Sequence, residues 1–121
     1  MIRTPGPGRF EDRSMSSAAN PYLALSAYVM AGLDGVRKKL DPGEPNLGNL
    51  YSLTQEEIRL KGIHQLPQTL DESLAELKQD EVVQESLGAI YEQFIDLKEA
   101  ELRECRRQVT PWEIDRYLTL F

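Results

Sequence analysis

Apolar and polar positions along this 121-residue chain follow two periods, and the change between them divides the sequence. Residues 9–14 read as a short strand, with Arg9, Glu11 and Arg13 on one side and Phe10 and Asp12 on the other. Pro5, Gly6, Pro7 and Gly8 precede it as a loop, because proline fixes φ and glycine frees it. Ser14 to Ala19 is a small, polar connector. A helical period then begins, with Asn20 suited to the N-cap and Pro21 to N1, where its missing N–H costs nothing. This helix is expected to run to about Leu40, with Gly32, Asp34 and Gly35 loosening its later part and Arg37-Lys38-Lys39 suiting the negative end of the macrodipole. Tyr22, Leu23, Leu25, Tyr28, Val29, Met30, Leu33 and Val36 cover nearly its whole circumference, so it should be buried on all sides. Few other elements exist in a chain this short to surround it. The helix asks for more protein than the chain contains.

The remainder is helical with interruptions. Asp41 to Asn49 is a long loop dense in turn residues, and a short helix should follow it, with Thr54 and Glu57 at capping-box spacing. Gly62 to Gln68 is another loop. Thr69 and Glu72 repeat the capping-box spacing, ahead of an apolar stripe at Leu70, Leu74 and Leu77. Val82, Val83 and Leu87 suggest a further helix that Gly88 bends or ends. Ile90, Tyr91, Phe94, Leu97, Leu102 and Cys105 mark a long amphipathic helix with a mixed-charge outer face. Thr110-Pro111-Trp112-Glu113 combines N-cap, N1 proline and N3 glutamate, and opens a last helix ending in Tyr117, Leu118, Leu120 and Phe121. The fold class expected is mainly α: a short N-terminal β-strand followed by a bundle of about five to six helices.

Composition narrows the function classes. The length allows one domain with a modest core. A net charge of −6, with the basic residues scattered among acidic ones, argues against nucleic-acid and anionic-membrane surfaces. Cys105 is the only cysteine and His64 the only histidine, so neither a disulfide framework nor a histidine- or cysteine-based metal cluster can be built. No apolar run reaches the ~20 residues that cross a bilayer, and the first eight residues lack the apolar core of a signal peptide. A cytoplasmic location is the expectation.

The candidate chemistry lies in Arg9-Phe10-Glu11-Asp12-Arg13. A carboxylate between two guanidiniums can ligate a divalent cation while its neighbours grip phosphate or carboxylate oxygens; the same spacing also suits an exposed ion-pair ladder of little energetic worth. Gly6-Pro7-Gly8 matches no phosphate-loop pattern. Cys105 is expected to be a packed thiol and His64 a surface residue. Tyr51 reads either as an aromatic that anchors its loop or as a modification site. Trp112, Tyr117 and Phe121 can form an interface anchor or simply pack.

Taken in order, Arg9-Phe10-Glu11-Asp12-Arg13, Ala18-Ala19-Asn20-Pro21-Tyr22-Leu23 and Ala31-Gly32-Leu33-Asp34-Gly35 resemble the C-terminal part of a glutamine synthetase. The likeness continues through Pro42-Gly43-Glu44 and Asn49-Leu50-Tyr51 to Thr110-Pro111-Trp112-Glu113, covering essentially the whole chain. The resemblance implies the C-terminal part of an α+β catalytic domain: residues 1–19 an active-site loop and strand, 20–40 a buried helix, 41–68 a loop region, 69–108 a helical region and 109–121 a C-terminal helical strap. It implies an ATP-dependent glutamate–ammonia ligase that forms glutamine through γ-glutamyl phosphate, with ATP and Mg²⁺ or Mn²⁺ as cofactors. Glu11 resembles a glutamate that ligates the metal associated with the nucleotide phosphates. Arg13 resembles the catalytic arginine that binds the side-chain carboxylate of glutamate, and Arg3 and Arg9 resemble arginines that contact ATP phosphates. Tyr51 resembles a tyrosine adenylylated in some bacterial enzymes. The strap, Trp112 to Phe121, implies a homo-oligomer.

Two features depart from the family pattern. Met15 and Ser16 stand where proline and aspartate are common, which leaves open a subgroup that uses another amine, such as methylamine or a polyamine. The family's further metal ligands lie upstream of anything present, so this chain alone is expected neither to catalyse nor to bind cofactors tightly. The other class of reading is a standalone, non-catalytic helical module that oligomerises through its tail.

Overall fold

The structure is a computed structural model that describes residues 2–46, 48–118 and 120. It is mainly helical and divides into two compact units, Met1–Asp41 with Asp80–Gly88 and Pro42–Gln79 with Ala89–Phe121.

The first unit opens with a hairpin. Strands β1 (Ile2–Gly6) and β2 (Arg9–Asp12) pair antiparallel, joining Ile2 to Asp12, Arg3 to Glu11 and Gly6 to Arg9. The expected loop over residues 5–8 is therefore shorter than the composition suggested, and Ile2–Gly6 is a strand. Pro7 and Gly8 alone lie between the two strands, and Gly8 takes the left-handed φ of 72° that a proline–glycine turn requires at its second position. Pro5 is accommodated by a register shift between Arg3 and Gly6, a bulge where its missing N–H breaks no ladder bond.

Helix α1 (Pro21–Lys38) starts as expected: the Asn20 side chain accepts from the Tyr22 and Leu23 N–H groups at 3.0 and 3.4 Å. Gly32 and Gly35 do not interrupt it, and Lys38 Nζ pairs with Asp34 at 2.8 Å one turn back. Lys39, left-handed at φ 52°, ends the helix, and the Leu40 N–H reaches back to the Gly35 carbonyl at 3.0 Å. Helix α4 (Glu81–Leu87) packs on α1, and Ser26 Oγ donates to the Ser86 carbonyl at 2.9 Å.

No residue of α1 is buried in this chain. Its apolar circumference resolves into two faces. Leu23, Ala27 and Met30 are half-buried, whereas Tyr22, Leu25, Val29, Leu33 and Val36 form an exposed stripe that Leu40 continues just past the helix. The steps of three and four residues are those of a core-facing helical stripe, yet Tyr22 is 83% and Val36 76% exposed.

In the second unit, Leu50–Ser52 forms a 3₁₀ turn, followed by α2 (Gln55–Leu60), α3 (Leu70–Leu77), α5 (Tyr91–Cys105) and α6 (Pro111–Tyr117). Complete capping boxes close the starts of α2 and α6: Thr54 and Thr110 accept from Glu57 and Glu113, whose carboxylates return to the threonine N–H groups at 2.7 and 2.8 Å. Those bonds hold both glutamates below the usual 4.5. At α3 the box is only half made. Thr69 accepts from Glu72, but the Glu72 carboxylate bonds to the N–H of Gln68 at 2.7 Å, one residue earlier. Helices α3 and α5 are in contact, and each carries one of the buried hydrophobic residues among those described, Leu74 on α3 and Ile95 on α5. Lys78–Glu99 at 2.5 Å and Arg106–Asp71 tie the same pair of helices at their surface. Gly88 ends α4 with a positive φ of 53°, as the sequence suggested.

The open α1 stripe has a measurable consequence. The 121-residue chain should associate as its concentration rises, and Leu25→Glu with Val29→Glu should keep it monomeric in sedimentation velocity. An equal rise in mass for the double variant would contradict this use of the stripe.

Candidate functional site

The hairpin register assembles the site. Glu11 lies opposite Arg3 in the ladder, and Arg3 Nη1 approaches Glu11 Oε2 at 4.0 Å. Arg13 lies one residue beyond the end of β2, yet its side chain turns back and Nε donates to Glu11 Oε1. The structure thus brings Arg3, Glu11 and Arg13 together. Arg9 shares their face by strand alternation but sits at the turn end of the ladder, where its guanidinium lies beside Gly6. All four are solvent-accessible: the Glu11 side chain is 38% exposed and that of Arg13 61%.

The electrostatics follow from these contacts. The Arg13 hydrogen bond is the main cause that holds the Glu11 carboxyl below the usual 4.5; desolvation opposes it, and the charges of Arg13 and Arg3 add to the lowering. Glu11 is therefore an anion over the whole neutral range, as a hard-cation ligand must be. Asp12, on the other side of the strand, is lowered chiefly by Ser14, whose N–H donates to Oδ1 at 2.6 Å.

Glu11 fits a divalent-cation ligand in charge and access. It supplies one position, and no group of three or more His, Cys, Asp or Glu side chains converges among the described residues. A cation at Glu11 would need water, phosphate oxygens or further protein groups to complete its shell. Arg13 occupies Oε1, so Oε2, on the Arg3 side, is the oxygen more open to a cation.

The remaining candidates lie elsewhere. Tyr51 belongs to the second unit, in the 3₁₀ turn, with its N–H capped by Asn49 Oδ1 at 3.1 Å. At 95% exposure it does not anchor its loop, which corrects that reading. Cys105 is exposed rather than packed; it is the last residue of α5, beyond the part of the helix that is covered. His64 is exposed, as expected. Trp112 and Tyr117 meet edge to face with centroids 6.0 Å apart and are 64% and 52% exposed. Phe121 lies outside the described residues. Sequence reasoning did not find the pairing of Arg3 with Glu11, although the Pro7-Gly8 turn between two short extended runs was a usable hairpin signal.

Comparison with known proteins identifies the family. The family model for the glutamine synthetase catalytic domain matches residues 1–117. The chain is 45% identical over 121 residues to a glutamate–methylamine ligase of Methyloversatilis universalis, covering 100% of this chain and 27% of that protein. It is 45% identical over 123 residues to a glutamine synthetase of Staphylococcus aureus, and 40% over 120 residues to one of Archaeoglobus fulgidus; these cover 98% of this chain and 28% and 24% of those proteins. A solved structure described as apo GmaS without ligand superposes with a TM-score of 0.82 at 35% identity, over 98% of this chain and 27% of that one. The fold is that of a segment of a glutamine synthetase catalytic domain. The chain belongs to the glutamine synthetase family. It spans about a quarter of the length of the relatives it matches. No described helix is long and apolar enough to cross a membrane.

One carboxylate is a poor cation site in isolation. Titration of the chain with Mn²⁺ should give no saturable broadening of Glu11 resonances. Saturable broadening centred on Glu11, lost in Glu11→Gln, would contradict a shared site.

Proposed function

We propose that this chain is the C-terminal segment of the catalytic domain of an ATP-dependent glutamate–amine ligase, forming glutamine by way of γ-glutamyl phosphate when the amine is ammonia. The observation that carries the reading is Glu11 held between Arg3 and Arg13 on one hairpin, in a chain of this family.

In this reading a γ-carboxylate oxygen of glutamate attacks the terminal phosphorus of ATP, and the P–O bond to ADP breaks. The amine nitrogen then attacks the γ-carbonyl carbon, phosphate leaves with the C–O electron pair, and the amine gives up a proton. Mg²⁺ or Mn²⁺, when bound, neutralises charge spread over the transferring phosphoryl group. Glu11 holds one ligand position of that cation. Arg13 holds the glutamate γ-carboxylate and afterwards the acyl phosphate, a bidentate task suited to a guanidinium. Arg3 and Arg9, on the same strand face, hold ATP phosphates.

Further parts of the reading rest on single features. The α1 stripe is where the rest of the catalytic domain covers this segment. The exposed Trp112 and Tyr117 support a homo-oligomer contact through the terminal helix. The exposed ring of Tyr51 supports its reading as a modification site. The acidic net charge supports a protein that binds neither nucleic acid nor an anionic membrane, and a single cysteine supports a reducing, cytoplasmic setting. Relatives named for glutamine synthesis and for methylamine ligation both reach 45% identity, so the amine is read as ammonia or methylamine. The isolated chain is inactive, since one metal-ligating carboxylate does not make a two-metal site.

A segment exchange tests this. The Methyloversatilis ligase with its matching C-terminal segment replaced by this chain should convert glutamate and methylamine or ammonia in an ATP-dependent manner. Its Glu11→Gln form should lose on the order of 100-fold or more in kcat, the scale on which single electrostatic groups act in such sites. A hybrid that assembles at the parent's mass but consumes no ATP would overturn the reading.

A further inference from the structure

Tyr28 has no part in the chemistry above, yet it reaches the site's backbone. Its hydroxyl lies 3.2 Å from Ser14 Oγ, fourteen residues away in sequence, and the Tyr28 side chain also makes a lesser hydrogen bond to the Asp12 carboxylate. Ser14 in turn donates its N–H to Asp12 Oδ1 at 2.6 Å. Arg13 stands between the two residues joined by that bond. On its N-terminal side, Asp12 is fixed by the ladder opposite Ile2. On its C-terminal side, Ser14 is fixed to the middle of α1, a helix capped at both ends. Beyond Ser14 the chain runs to Asn20 without regular secondary structure, and its hydrogen bonds there, from the Ala18 and Ala19 N–H groups to Ser16, lie within the connector and do not reach Arg13.

We propose that Tyr28 is a positioning residue that, through Ser14, clamps the backbone of Arg13 and so aims its guanidinium. The proposal rests on the proposed role of Arg13 toward the glutamate carboxylate. A long, half-exposed arginine side chain has many rotamers, and fixing the backbone beneath it removes a large part of that freedom. Positioning of this kind acts on substrate binding when the positioned group binds the ground state. A tie that only docks the hairpin on α1 would instead disturb the sites of both substrates together, because Arg3, Arg9 and Glu11 ride on the same hairpin as Arg13.

The test uses the complete ligase carrying this segment, together with the 121-residue chain. In the ligase, Tyr28→Phe should raise the KM for glutamate about three- to tenfold, the scale of one lost hydrogen bond. The kcat and the KM for ATP should stay within about twofold. Ser14→Ala should reproduce the effect and Ser14→Thr, which keeps the hydroxyl, should restore the parent value. In the chain, Tyr28→Phe should move the Arg13 Nε–Hε resonance toward that of free arginine, with the circular dichroism unchanged. Equal rises in both KM values, an unchanged glutamate KM, or an Arg13 resonance that does not move would overturn the proposal. Arg13→Lys separates it from the functional reading. If that variant leaves the glutamate KM unchanged, the role of Arg13 fails, while the Arg13 resonance in Tyr28→Phe still decides the clamp.

Discussion

The constraint on which this chain's structure depends is the shortage of protein to cover helix α1. The helix carries apolar residues around most of its circumference, and α4 packs on only part of it. The stripe from Tyr22 to Val36 keeps the spacing of a core face but faces solvent. Exposed apolar residues on a soluble domain are ordinary when single; a full-length stripe on one helix is not. The shortage extends to the second unit, where Leu74 and Ile95 are the buried hydrophobic residues among those described and local capping does much of the ordering. Coverage of only about a quarter of each matched relative agrees with a segment cut from a larger core.

The hairpin shows the same incompleteness in chemical form. Glu11 is poised as an anion by two guanidiniums, which is useful to a ligand group but is also a competing set of partners. Arg13 cannot give both its attention to Glu11 and a bidentate grip to a substrate carboxylate. In the proposed reading a cation on Glu11 would weaken that bond and free Arg13, which would couple metal binding to the substrate grip through one carboxylate. Such coupling needs the strand to hold its register. The Pro7-Gly8 turn, the bulge at Pro5 and the Tyr28–Ser14 contact all bear on that register.

Much of this was legible in the sequence because it depends on local chemistry. Asn20-Pro21, Thr54 with Glu57, and Thr110-Pro111 with Glu113 announced three helix starts through caps that need only neighbouring residues. The order of the motifs identified the family. Strand β1 was missed because its Pro5 and Gly6 argue against regular structure, and only a bulge reconciles them with a ladder. The clamp from Tyr28 to Ser14 left no sequence signal at all, since it joins a helix to a loop by tertiary packing. Tyr51 and Cys105 were misjudged for a related reason: residue type suggests burial on average, while exposure is set by which partners the fold supplies. The uniform burial expected for α1 rested on its composition, and no residue of the helix is buried in this chain, because composition does not say what supplies the cover.

Amide hydrogen exchange across α1 tests that point most directly, measured once in the free 121-residue chain and once in a complete ligase carrying the same segment. Helix α1 should exchange readily in the free chain and become strongly protected in the complete ligase, as covering of the stripe from Tyr22 to Val36 by the rest of the domain would require. Equal protection of α1 in the two states would contradict it.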